Sequence, residues 1–181
     1  MRLSLVFETG AHDGRLLRTM ADDWINGYVN ELADQQKAVD LELQNKTRRA
    51  KLLEEQESDL WAELRRESKR MVGALRERSP TPRCADLDCD SPDGTTLSIR
   101  NPVYPAVTLE ITRGTTRYRI AYKHAQDAKS QWKESQDAIA IELDANDRIK
   151  ITFRHKYCVT VEDLLKVLMG PILKPEIFKN H

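Results

Sequence analysis

From residue 13 to residue 79 the chain has no proline, and its only glycines there are Gly14, Gly27 and Gly73. Nothing in that stretch breaks a helix, so one helix can run its length and end where Pro80 and Pro82 cannot continue it. A helical hairpin would need a turn, and the glycine or proline that marks one is missing. Glycine is scarce throughout, seven among 181 residues, which leaves few sites where bare backbone could cradle a cofactor. There is no dinucleotide fingerprint, phosphate-binding glycine loop, H-E-x-x-H or G-x-S-x-G. The sequence therefore nominates no catalytic residue, no metal site and no cofactor, and the expectation is a protein that is not an enzyme.

Long apolar runs are absent too. None approaches the roughly 18 residues that cross a bilayer, and the apolar start at Leu3, Leu5 and Phe7 is too short for a secretory signal. Three cysteines, Cys84, Cys89 and Cys158, are an odd number without an export signal, which suits reduced thiols in the cytoplasm. Net charge is zero, but residues 1–94 hold 15 Lys and Arg against 19 Asp and Glu while residues 95–181 hold 14 against 10. Halves of −4 and +4 could dock on each other, although a difference of four is small beside 58 charges.

What the first third does have is a repeat of four then three. Counted from Ile25, the seam runs through Val29, Leu32, Gln36, Val39, Leu43, Lys46, Ala50, Leu53, Glu57, Leu60, Leu64, Glu67, Met71 and Ala74, and eleven of these fifteen are apolar. That is a coiled-coil pattern. A stripe so narrow on a helix so long cannot be buried by the helix itself and calls for a partner. The expected oligomer seam is Ile25, Val29, Leu32, Val39, Leu43, Leu53, Leu60, Leu64 and Met71. The stripe is widest at its beginning, where Trp24 and Tyr28 join it, which favours packing of that end on a globular body. Trp61, beside the seam among acidic residues, reads as seam packing before partner contact.

Residues 80–94, with proline and aspartate prominent, read as a linker. Its C-x4-C lacks the second ligand pair of a zinc knuckle, and Ser91 and Leu97 stand where a calcium loop needs glycine and glutamate. After it the period changes to two. Leu97 and Ile99 suggest a short strand, followed by stronger ones at Val107, Leu109 and Ile111; Tyr118, Ile120 and Tyr122; Ile139, Ile141 and Leu143; and Ile149, Ile151 and Phe153. Turns are expected at residues 113–115 and 144–147, and a helical turn anchored by Trp132 at residues 124–135. Thr160 caps a final helix with Val161, Leu164, Leu165 and Leu168 on one face, stopped by Gly170 and Pro171. The fold class follows as α+β: residues 1–79 a short strand and a long coiled-coil-like helical arm, residues 95–181 an antiparallel meander of four to five strands. The C-terminal helix covers one face of that sheet.

The other sheet face is expected to be cationic. Opposite the apolar residues stand Arg117, Arg119 and Lys123 on one strand and Arg148, Lys150, Arg154 and Lys156 on another, seven cations against Glu110, Glu142 and Asp144. Such a face suits phosphates of nucleic acid or acidic lipid headgroups. Because Tyr118, Tyr122 and Phe153 point the other way, no aromatic is expected among these cations and base stacking is not indicated. His155 and Cys158 are three apart, but strand parity puts His155 on the apolar face as a structural residue. Two functions follow, in order: an assembly protein that self-associates through the arm as a homodimer, and an anion-binding module using the cationic face.

Overall fold

The computed structural model describes the backbone of residues 13–79 and 81–175, with side chains from Asp23 onward in those ranges. The expected strand at Leu3, Leu5 and Phe7 lies outside them. The chain divides into two units between Arg48 and Arg49, and one element belongs to both, helix α1 (Asp13–Arg78). It is a continuous helix of 66 residues, as the missing helix breakers require.

Within residues 49–181 the elements are the second half of α1, a helical turn α2 (Pro82–Ala85), seven strands and helix α3 (Val161–Leu173). The strands are β1 (Asp88–Asp90), β2 (Thr96–Asn101), β3 (Ala106–Thr112), β4 (Arg117–Ala125), β5 (Lys133–Leu143), β6 (Ile149–Phe153) and β7 (Lys156–Cys158). They form one antiparallel meander in sequence order. Seven strands replace the four or five expected, for two local reasons. The Pro/Asp segment is more than a linker: its Cys84 and Leu87 are buried in the core and its β1 pairs with β2. The other unforeseen strand is β7, made by a hairpin at Arg154 and His155, both at positive φ (48° and 61°) without a glycine to signal it.

Alternation places Leu97, Ile99, Leu109, Ile111, Tyr118, Ile120, Tyr122, Ile139, Ile141, Ile151 and Phe153 on one face, all buried. Helix α3 covers part of that face with Val161, Leu164, Leu165, Leu168 and Ile172. Thr160 caps it, its hydroxyl accepting from the Asp163 amide at 3.1 Å. The helix runs on through Gly170 and Pro171 to Leu173, because burial of Pro171 and Ile172 offsets the one backbone donor that proline lacks. Residues 124–135 hold no helix; β4 reaches Ala125, and Trp132 is exposed in the turn before β5.

The second cover is the late half of α1, not its apolar beginning. Leu60, Trp61, Leu64 and Val72 are buried in the sheet core, with Leu53, Met71 and Leu75 packed around them. Polar contacts fix the register. The Glu57 carboxylate, 3% exposed, accepts from Arg113 Nη2 at 2.6 Å, from Arg113 Nε at 2.9 Å and from the Tyr118 hydroxyl at 2.8 Å. Burial, followed by this bond to Glu57, pushes the Tyr118 phenol far above its ordinary range. Trp61 meets Tyr118 edge to face at 5.2 Å and donates its indole N–H to the Gly94 carbonyl at 2.7 Å. Arg49 bonds Asp147 and the Leu143 carbonyl, each at 2.9 Å, and Gln56 donates to the Asp147 carbonyl at 2.8 Å, which docks the β5–β6 turn on the helix.

Candidate functional site

Every described residue from 23 to 48 is exposed. The seam residues Ile25, Val29, Leu32, Val39 and Leu43 have between 46% and 63% of their surface in water. Trp24 and Tyr28 stack beside them with ring centroids 6.0 Å apart. The polar flanks are satisfied within the helix: Lys37 pairs with Asp34 at 3.1 Å, Lys46 with Glu42 at 2.7 Å, and the Gln36 amide donates to Asp40 at 2.8 Å. An apolar line repeating every seven residues, on a helix whose polar groups serve each other, is a surface suited to another helix.

The remaining proposed seam residues have a different fate. Leu60 and Leu64 are buried against the sheet of their own chain, and Leu53 and Met71 pack partly buried beside them. Close packing leaves no side-chain surface at Leu60 and Leu64 for a second helix, and Leu53 and Met71 give most of theirs to the same core, so the stripe there is committed to its own sheet.

On the outward sheet face the seven expected cations separate. Arg117, Arg119, Lys123 and Lys150 keep the outward parity, Arg148 is exposed in the turn just before β6, and Lys156 faces Phe153 across the β6–β7 ladder, in the inward register. Arg154 sits in the hairpin turn and reaches Asp137 with Nε to Oδ2 at 2.7 Å, its guanidinium 5.2 Å from the Phe153 ring. The two misplacements share one cause, the turn at residues 154–155 that ends strand parity. Lys123 is held by Glu110 at 2.8 Å, so Arg117, Arg119, Arg148 and Lys150 remain as exposed cations with no ion pair among the described residues.

The same hairpin brings out a residue that sequence reasoning missed. Tyr157 is opposite Thr152, which is opposite Ala140, which is opposite Arg117. An exposed aromatic ring, 57% in water, therefore shares the face of the arginines. An expected turn at Arg154-His155 would have revealed it, but neither residue carries the usual turn signature.

No nucleophilic pair forms from His155 and Cys158. His155 is exposed in the turn, contrary to its expected place on the apolar face, while Cys158 is buried and desolvation raises its thiol pKa. Burial likewise pushes the Cys89 thiol up to about 11, which keeps it protonated at neutral pH. No helix among the described residues is long and apolar enough to cross a membrane. No protein-family model, curated protein or solved structure matches the chain.

Proposed function

We propose that this chain is a non-enzymatic assembly protein of the cytoplasm that self-associates as a homodimer through residues 25–43 of α1. The observation that carries the reading is the exposure of five side chains, Ile25, Val29, Leu32, Val39 and Leu43, at strict heptad spacing. A second copy is the occupant that such a line fits. The stripe is complementary to itself under a two-fold axis, the closed symmetry in which the same patch is covered on both copies. Covering the exposed part of each of these side chains contributes on the order of 1 kcal/mol per residue per chain. In this reading the domain formed by residues 49–181 is what the dimer displays to a further partner.

Light scattering after size exclusion of the nuclease-treated protein tests it, at low and at high salt. A dimeric mass that survives salt is expected, because the seam is apolar, and Leu32→Asp with Val39→Asp should return the monomer. A monomer at roughly 100 μM, well above the Kd range of a working coiled coil, would overturn the proposal.

A further inference from the structure

The outward face of β4 to β7 carries exposed long side chains, and its composition is uneven. Along its middle the residues are small: Ala138 and Ala140 on β5 and Thr152 on β6. Around that shallow floor stand longer groups. Arg117 and Arg119 rise from β4, Lys150 from β6 and Tyr157 from β7, with Arg148 exposed in the turn just before β6. The register Arg117, Ala140, Thr152, Tyr157 crosses four neighbouring strands, so the arginine and the ring are three strand spacings apart, about 14 Å. The two outward acids on these strands, Glu134 and Glu142, lie toward opposite ends of β5, and Gln136 donates to Glu134 at 2.8 Å. The middle of the floor is thus neutral, flanked by cations and closed on one side by an aromatic face.

We propose that this face binds single-stranded nucleic acid, its phosphates held by Arg117, Arg119, Arg148 and Lys150 and a base stacked on Tyr157. Charge complementarity identifies a polyanion, since Arg117 and Arg119 are exposed with no carboxylate opposite them on β5, where the register places Ala140 and Ala138. Tyr157 selects the kind of polyanion. A ring projecting from a strand of the same face as the arginines offers a base its π face, the arrangement by which single strands are held without sequence preference. A duplex would need an element that enters a groove, and this face presents only strands lying flat. An acidic membrane would call for aliphatic groups to insert beside the cations, whereas the floor here is alanine and threonine. None of the residues named here belongs to the exposed seam at residues 25–43, so the inference does not rest on self-association.

The test is fluorescence anisotropy of the full-length, nuclease-treated protein against labelled oligouridine and oligothymidine about 15 nucleotides long. A duplex of equal length and phosphatidylserine vesicles serve as competing ligands. Saturable single-strand binding that weakens with salt is expected. The pair Arg117→Glu and Arg119→Glu should cut affinity at least roughly tenfold and lower the log–log salt slope by about 1.4, two phosphates' worth for a single strand. Tyr157→Ala should lower affinity by about 5- to 100-fold with the salt slope unchanged, and Tyr157→Phe should restore it. All these side chains are exposed, so circular dichroism should show the variants folded. No single-strand binding at roughly 50 mM salt, binding indifferent to the arginine reversal, or binding to duplex or vesicles alone would overturn the proposal. Loss with the arginines but none with Tyr157→Ala would overturn its stacking half.

Discussion

Residues 25–43 and 53–71 of α1 carry the same spacing of apolar side chains, but the first set is exposed and the second is built into a core. A heptad stripe therefore says that a helix will be covered on one side without saying by what. The polar interruptions carry that further information. Glu57 interrupts the late seam, and its carboxylate is satisfied by Arg113 and Tyr118 of the sheet that the helix packs on. Gln36 interrupts the early seam, and its amide is bonded to Asp40 one turn along the same helix. The late half is committed to its own chain by a buried charge, and the early half carries no such commitment.

Substitutions in the two halves should separate stability from assembly. Leu64→Ala deletes a fully buried side chain and should lower unfolding stability by about 2–5 kcal/mol in urea denaturation. Glu57→Ala strands the Arg113 charge and the Tyr118 hydroxyl. Removing one partner of a buried pair costs about 3–5 kcal/mol, and since a third of the Arg113 side chain reaches water, about 2–4 is expected here. The matching change in the early half, Leu32→Asp with Val39→Asp, should move monomer stability by no more than about 0.5 kcal/mol per substitution while abolishing the dimer. A large loss of monomer stability in that variant would erase the distinction between the halves.

pH should divide them again. His124 is buried at the end of β4, and desolvation, with Lys133 opposite it, holds its pKa below the ordinary value. Well above about 6.5 both folded and unfolded forms are neutral there, and the group adds no pH dependence. As pH falls through the unfolded value the unfolded chain takes up a proton that the folded chain resists, so stability declines. Urea denaturation between about pH 7.5 and pH 5.5 should show a steeper decline for the native sequence than for His124→Gln. No histidine occurs in residues 23–48, so the molar mass should hold over the same interval for as long as the protein stays folded.

Much of this was legible because it follows from periodicity. The change from period three and a half to period two placed the apolar inward residues of β2 to β6 on the correct face, and Thr160 marked the start of α3. Errors gathered where a partner, rather than a period, decides the outcome. Trp24, Ile25 and Tyr28 make the widest apolar stretch of the helix and are exposed, while Leu60 and Leu64 lie on a thinner line and are buried. Only the distant Arg113 and Tyr118 distinguish the two, and a local pattern cannot contain them. The misassigned Arg154, His155 and Lys156, and the missed Tyr157, all trace to one hairpin made without glycine, asparagine or proline.

The smallest expected effect bears on how well the late half of α1 is fitted to its sheet. Ser68 is 1% exposed, and its hydroxyl has no hydrogen-bond partner among the described residues. A buried hydroxyl without a partner loses its water and gains nothing in exchange, and serine is also a poorer helix former than alanine. Ser68→Ala should therefore stabilise the protein by about 0.5–1.5 kcal/mol, seen as a higher urea midpoint at unchanged slope. Ser58, exposed on the same helix, supplies the reference: Ser58→Ala changes helix propensity alone and should gain no more than about 0.5 kcal/mol. The excess at Ser68 over Ser58 isolates the cost of the buried hydroxyl. A loss of stability at Ser68 would mean that the hydroxyl is satisfied by trapped water, and that this part of the interface between α1 and the sheet is wet.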